Sequence, residues 1–152
     1  MKNSELHKVE NLLGYVFSDK SLLVRALTRK AYALEQRQQG FTCKDQEYYR
    51  ILGDSVLKFS LVELLEQNGY TTRDAITSKK KTLEDRQTLG TMELAKQIAP
   101  FIRFGKGEAS QKIDQQVSVR AETFEAIIAA IYQDSNLSVV RSRVNGWFSP
   151  LF

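Results

Sequence analysis

The spacing of the apolar residues is the feature that most restricts how this chain can fold. Apolar side chains recur at three- and four-residue steps through most of its 152 residues, which is the period of an α-helix with one buried face. Proline, which interrupts helices, occurs only at Pro100 and Pro150. We find no pair of segments with the pattern of paired strands. The sequence therefore predicts an all-α fold.

The helix boundaries follow from caps and breakers around the apolar stretches. The central segment is hydrophobic almost all round, which predicts that it lies in the middle of the domain. We expect a single domain over residues 1–152, with loops at 36–44 and at 103–116, the second of them mobile. The predicted helices are a first one capped by Ser4 and ended by Gly14, a second capped by Ser18, the central one over 45–68, a region from Thr77 or Ser78 to Pro100, and two more at 120–133 and 138–148.

Composition narrows the class of protein. With 42% hydrophobic and 26% charged residues the chain is typical of a globular domain, and intrinsic disorder is excluded. The formal charge of +4 favours polyanionic partners but is also common among enzymes. The longest apolar run, 126–132, is far shorter than the ~20 residues that span a bilayer, so we expect no membrane segment. A single cysteine and no secretory leader favour the cytoplasm.

Acidic and basic residues on two of the predicted helices share faces. Glu47, Arg50 and Asp54 follow each other at steps of three and four and project from one side of the central helix. Glu122 and Glu125 lie one turn apart on the later helix. Charges on mostly buried helices need partners or an ion, which favours a functional site. The alternative is a solvated polar stripe.

Four segments in register resemble the ribonuclease III family and together cover about residues 6–135. Residues 47–57, EYYRILGDSVL, are similar to the family signature ERLEFLGDS, and residues 120–134, RAETFEAIIAAIYQD, to its second acidic helix, LADTFEALIGAIYLD. Residues 26–33 resemble ALTHxSYA, and 104–108 resemble LGKGE. The resemblance implies the all-helical endonuclease-domain fold of that family and a homodimer.

The resemblance also implies a metal site. In active members four carboxylates hold catalytic Mg²⁺, or Mn²⁺, so the residues to examine as catalytic are Glu47, Asp54, Glu122 and Glu125. Asp54 and Glu125 match the family ligands outright, and Glu47 matches an assisting acidic position. Glu122 stands where the family has Asp, and Arg50 where it has Glu. Any metal would therefore rest on Asp54, Glu122 and Glu125.

Arg50 is the departure that matters most. A guanidinium has only donors and offers no lone pair to a metal. Across the four ligand positions the charge falls from −4 in the family pattern to −2 here. We expect Arg50 to form bidentate bonds with Glu122, Glu125 or Asp54 and to occupy the space of the ion. In the alternative, Arg50 points to solvent and the three acids plus Glu47 keep the site working.

The remaining candidates concern partners rather than chemistry. Ile51 replaces the signature Phe that packs across the family dimer, so it is the predicted dimer contact. His7 and Cys43 lack the surroundings of catalytic residues. A basic set is expected to contact the phosphates of double-stranded RNA, with a merely solvated face as the alternative: Lys79, Lys80, Lys81, Arg86 and Lys106.

Three functions stay open from the sequence. The first is a dimeric, double-stranded-RNA-binding domain whose Mg²⁺-dependent endonuclease site is degraded. The second is an active endonuclease of RNA processing with altered ligands. The third is a structural or regulatory subunit that docks on a ribonucleoprotein or pairs with an active relative. The chain leaves no room after Phe152 for the family's separate double-stranded-RNA-binding domain, so we expect weak RNA affinity.

Overall fold

The fold is built from α-helices joined by short connections. The computed structural model describes residues 1–152. It contains three short 3₁₀ turns at Ala99–Phe101, Ile113–Gln115 and Ser149–Leu151, and one isolated parallel bridge between Thr28 and Arg103. No helix is both long enough and apolar enough to span a bilayer. The α-helices are α1 (Asn3–Leu13), α2 (Lys20–Ala26), α3 (Lys30–Gln38), α4 (Glu47–Gln67), α5 (Arg73–Glu84), α6 (Arg86–Thr91), α7 (Glu93–Ile98), α8 (Lys106–Ser110), α9 (Val117–Asp134) and α10 (Leu137–Phe148).

The centre of the molecule is the packing of α4 against α9. In α9 the residues from Thr123 to Ile131 are all buried, so this helix is enclosed on every side along its middle. In α4, Leu57, Leu61 and Leu65 are fully buried and face the same core. This burial of aliphatic side chains is the main stabilising contribution, at about 1.5–3 kcal/mol for each one.

Two glycines allow helices to approach α9 closely. A Cβ added to Gly53 of α4 would lie 1.7 Å from the carbonyl oxygen of Glu125, and one added to Gly90 of α6 would lie 2.2 Å from the carbonyl oxygen of Val117. Only glycine therefore fits at either crossing. Because Asp54 directly follows Gly53, the first crossing sets its carboxylate beside Glu125.

The predicted all-α fold is confirmed, and the long helices lie close to their expected positions. The central helix was expected over 45–68, and α4 spans Glu47–Gln67. Gly14 ends α1 in the left-handed conformation, with φ of 68°. Two predicted caps are wrong. Lys2, not Ser4, precedes α1, and Asp19, whose side chain accepts from the Ser21 amide, replaces Ser18 at the start of α2.

The polar parts of the chain depart further from expectation. The predicted loop 36–44 begins inside α3, which has only Ala33 fully buried and so lacks an apolar stripe. The helix expected from Thr77 or Ser78 starts at Arg73, capped by Thr72. That region is three helices rather than one, and the predicted mobile loop 103–116 contains α8 and a 3₁₀ turn. Short helices with few buried residues leave little periodic signal.

Candidate functional site

A large cleft opens between α4, α9 and the junction of α5 with α6. Its volume is about 740 Å³. The structure brings all five residues of the predicted site to its walls: Glu47, Arg50, Asp54, Glu122 and Glu125. The helical spacing explains this arrangement, because steps of three and four put the α4 residues on the face that meets α9. The cleft is thus lined by charged groups from two helices.

Arg50 lies inside this cleft and is paired with carboxylates, as expected, so the alternative in which it points to solvent is wrong. One of its terminal nitrogens, Nη2, is 2.8 Å from Oε1 of Glu122, and the other, Nη1, is 3.0 Å from Oε2 of Glu47. The guanidinium therefore divides its bonds between two carboxylates instead of making the bidentate pair that we expected. Its side chain is 26% exposed and that of Glu122 is 12% exposed, so the bond to Glu122 is the better shielded of the two.

A second arginine holds the other oxygen of Glu122. Nη1 of Arg29 is 2.9 Å from Glu122 Oε2, and Nη2 of Arg29 is 2.9 Å from Oε2 of Glu108. Burial lowers the pKa of Arg29, but Glu108 and Glu122 outweigh that effect and raise it above its ordinary value. Nη1 of Arg86 also lies 3.7 Å from Glu122 Oε1. Three guanidinium groups thus surround one carboxylate.

Asp54 and Glu125 form a separate acidic pair on the same cleft. Nζ of Lys58, one turn along α4, is 3.1 Å from Oδ2 of Asp54. Burial raises the pKa of Glu125 to about 8, and the hydrogen bond and negative charge of Asp54 add to this effect against the opposing charges of Arg86 and Arg50. At neutral pH Glu125 therefore carries a proton most of the time.

In this arrangement Glu122 and Asp54 are bonded to cations of the chain rather than free to hold a Mg²⁺ ion. Mg²⁺ needs several oxygen ligands in near-octahedral geometry, yet both oxygens of Glu122 are bonded to arginines and Asp54 is paired with Lys58. Nowhere in the chain do three or more His, Cys, Asp or Glu side chains lie close enough together to hold a metal. The cations that face the carboxylates of the cleft are side chains of the chain itself: Arg29, Arg50, Arg86 and Lys58.

The predicted basic residues divide into two groups. Lys81 and Arg86 line the cleft. Nζ of Lys80 is instead 3.1 Å from Glu84, and Nζ of Lys79 donates to the carbonyl of Leu151, at 2.9 Å. Lys106 lies at the exposed start of α8 and does not line the cleft.

Ile51 is 70% exposed on α4 and, like Tyr48, also lines the large cleft. Tyr48, Phe59 and Val62 are also exposed, at 52%, 50% and 37%. Their spacing places these four residues along one stripe of the helix, which we call the outer stripe of α4. Contiguous apolar surface of this kind is typical of interaction sites.

The other two residues considered from the sequence lie away from the cleft. Nδ1 of His7 is 3.1 Å from Glu10 on α1. Cys43 precedes α4, and its sulfur is 3.8 Å from Nη2 of Arg103. Neither side chain is among those that line the cleft.

Sequence reasoning missed three residues of the charged network. Arg29 and Glu108 both lie in segments that resemble the family motifs, but no role was assigned to either. Arg29 stands where the similar motif has His, and that departure was the available signal. Lys58 is four residues after Asp54, a spacing typical of ion pairs on a helix.

Comparison with known proteins identifies the family. A family model described as Ribonuclease-III-like matches residues 19–150, so the chain belongs to that family. Curated proteins named Ribonuclease 3 are similar over nearly all of it. The protein from Pseudomonas aeruginosa (strain LESB58) is 31% identical over 151 residues, which is 99% of this chain and 62% of that protein. The protein from Bdellovibrio bacteriovorus is 33% identical over 144 residues, 94% of this chain and 60% of that protein.

The chain thus spans about three fifths of the length of these relatives. Two solved structures of the nuclease domain of ribonuclease III from Campylobacter jejuni share its fold. One has a TM-score of 0.83 at 24% identity and covers 100% of this chain and 97% of that one. The other, described for structural flexibility in a region involved in dimer formation, has a TM-score of 0.80 at 22% identity and covers 95% and 99%. The fold is therefore that of a ribonuclease III nuclease domain.

Proposed function

We propose that this chain is a ribonuclease III-type domain that binds double-stranded RNA as a homodimer and whose Mg²⁺-dependent cleavage site is degraded. The observation that carries the proposal is the pairing of both oxygens of Glu122, with Arg50 at 2.8 Å and with Arg29 at 2.9 Å. A carboxylate with a guanidinium bonded to each oxygen has fewer free lone pairs and holds two cations that repel a metal ion.

Charge supports the same interpretation. At neutral pH a mostly protonated Glu125 contributes little negative charge to the cleft, and Lys58 offsets Asp54. Such a site attracts a divalent cation weakly, because the interaction scales with the charge that faces the ion. Phosphodiester cleavage in the ribonuclease III family depends on that ion.

RNA binding is supported by the cations on the rim of the cleft. Lys81 and Arg86 lie where a phosphate backbone that crosses the cleft could reach them. Contacts of this kind position a duplex without reading its sequence and weaken steeply with salt. Replacement of Lys81 by Ala should therefore lower affinity equally for unrelated duplexes, with Lys8→Ala, on the exposed surface of α1, as the matched control.

The homodimer is supported by the outer stripe of α4. Ile51, Phe59 and Val62 are apolar and exposed on the longest helix of the chain. Burial of these side chains against the same stripe of a second copy would remove this surface from water. The solved nuclease domain described for its region involved in dimer formation has the same fold.

The decisive experiment is cleavage of labelled double-stranded RNA in millimolar Mg²⁺ and, separately, Mn²⁺. We expect the unmodified chain to give no cleavage above the metal-only control. The double variant Arg50→Glu with Glu122→Asp should gain metal-dependent cleavage. Adding Lys58→Gln should increase it further, since Lys58 otherwise stays paired with Asp54.

Two comparisons make the result specific. Arg73→Glu makes the same charge change at an exposed position outside the cleft, and it should remain inactive. Efficient cleavage by the unmodified chain would refute the degraded site and leave an active endonuclease with altered ligands. The absence of both cleavage and duplex binding would refute the RNA part of the proposal.

A further inference from the structure

A second pocket, of about 380 Å³, lies beside the start of α4. Three of the residues that line it are cations, Arg25, Lys44 and Arg103, and none is acidic. None of these three forms an ion pair with a carboxylate anywhere in the chain. By contrast, the half-buried Arg29 and Arg50 are both paired with carboxylates. We call this the basic pocket.

Arg25 is held in place without neutralisation. Its guanidinium carbon lies 4.3 Å from the ring centre of Tyr49 and 5.7 Å from that of Tyr48. Its Nε donates to the backbone carbonyl of Asp45, at 2.9 Å, while the side chain of Asp45 is paired with Arg37. Neither terminal nitrogen of Arg25 is paired with a carboxylate.

Arg103 is fixed in a similar way. Its guanidinium carbon lies 4.5 Å from the ring centre of Tyr32. Nε and Nη2 both donate to the hydroxyl of the fully buried Thr28, at 3.0 and 2.8 Å. Nη1 has one long contact, 3.5 Å to the hydroxyl of Tyr32. Aromatic stacking and neutral acceptors thus orient the charge of Arg103 without cancelling it.

We propose that the basic pocket binds a phosphate group. Two pre-oriented guanidinium groups match the oxygens of a phosphate, and binding loses little side-chain entropy because both side chains are already held. The exposed ammonium of Lys44 supplies a third charge, and the hydroxyl of Thr42 can donate to the same ligand.

The phosphate could belong to a free mononucleotide or to the backbone of RNA. Tyr48 lines the large cleft, and the next residue, Tyr49, lines the basic pocket. The large cleft and the basic pocket thus both border the first turn of α4. The basic pocket shares no lining residue with the large cleft, so substitutions in the pocket leave the residues of the cleft unchanged.

Cys43 provides a readout, since it is the only cysteine and lines the pocket. The experiment follows the rate at which iodoacetamide alkylates Cys43 as ligand is added at constant ionic strength. The probes are inorganic phosphate, adenosine 5′-monophosphate and a short RNA duplex, with KCl as the reference. For a Kd of about 1 mM, ~10 mM phosphate should slow alkylation about tenfold, because only the unoccupied pocket reacts.

Protection by phosphate and adenosine 5′-monophosphate at millimolar concentrations assigns the pocket to a free phosphate ligand. If the duplex protects Cys43 at concentrations where inorganic phosphate gives no protection, the pocket is assigned to a phosphate of the RNA backbone. Either result supports the pocket only if Arg25→Gln and Lys44→Gln each raise the half-protecting concentration about tenfold. Lys8→Gln, on the exposed surface of α1, should leave it unchanged.

Lys44 is exposed, so Lys44→Gln keeps the test valid even if Arg25→Gln perturbs folding, which thermal unfolding would detect. Two results would overturn the proposal. One is alkylation at the KCl rate with all three probes. The other is protection that survives unchanged in the Lys44→Gln variant.

Discussion

The replacement Arg50→Glu tests the charged network directly. It removes the bond to Glu122, and hydrogen bonds to charged groups of this kind contribute about 1.5–3 kcal/mol. It also removes the pair with Glu47, which is 45% exposed and contributes at most about 1 kcal/mol. The new carboxylate repels Glu122, although Arg29 remains to offset part of that repulsion.

Together these effects should lower the free energy of unfolding by about 3–5 kcal/mol in metal-free buffer. For a domain of this length each kcal/mol shifts Tm by about 2–4 °C, so Tm should fall by roughly 10 °C. The Tm of Arg50→Met should fall by less, because this variant loses the bonds without adding repulsion. Calorimetry measures the Tm of Arg50→Glu, of Arg50→Met and of the matched control Arg73→Glu.

Mg²⁺ supplies the second half of the test. The unmodified protein should show no shift in Tm with millimolar Mg²⁺, because a ligand that does not bind the folded state cannot stabilise it. Arg50→Glu should recover about 2.7 kcal/mol when Mg²⁺ reaches about 100 times its Kd. An Arg50→Glu variant as stable as Arg73→Glu without metal would refute the reasoning, since the ion pairs would then contribute nothing.

Other parts of the molecule give three further predictions. Gly53→Ala should cost at least about 3 kcal/mol in urea unfolding, because its Cβ would lie 1.7 Å from the carbonyl oxygen of Glu125, whereas Gly107→Ala, in open space, should cost nothing. The free energy of unfolding should fall by at most about 5 kcal/mol as pH rises from 4.5 to about 8, because folded Glu125 keeps a proton that the unfolded chain releases. The variant Glu125→Gln should remove this pH dependence. Ile51→Asp should give monomers in sedimentation, while Val16→Asp, 71% exposed elsewhere, should not; a stable monomer for the unmodified chain would contradict the dimer.

The long helices and the shared face of the site could be predicted from the sequence. In α4 and α9 a long run of apolar residues repeats with the helical period, so position along the chain determines which side of the helix a residue occupies. Glu47, Arg50 and Asp54 were placed together on this basis, and the structure puts all three on one cleft. The spacing along one helix is enough to predict which residues share a face, because it does not depend on any other part of the chain.

The short polar helices could not be predicted in this way. α3 has a single fully buried residue, and α8 has none. Their backbone geometry depends on contacts with the rest of the fold, such as the bond from the Lys106 amide to the side chain of Glu35. Such contacts join residues far apart in sequence and leave no periodic pattern.

The pairing of charges at the site likewise depends on tertiary contacts that the sequence does not show. From the sequence alone, Arg50 was expected to pair with an acid, but the alternative in which it points to solvent stayed open, because rotation about its side-chain bonds allows both. Tertiary packing brings Glu122 of α9 within reach and adds Arg29, 93 residues away from Glu122 along the chain. The close crossing at Gly53 likewise buries Glu125 beside Asp54 and raises its pKa. The sequence determined which residues share a helical face, whereas only the folded chain determined how their charges are paired, since pairing depends on distances between separate helices.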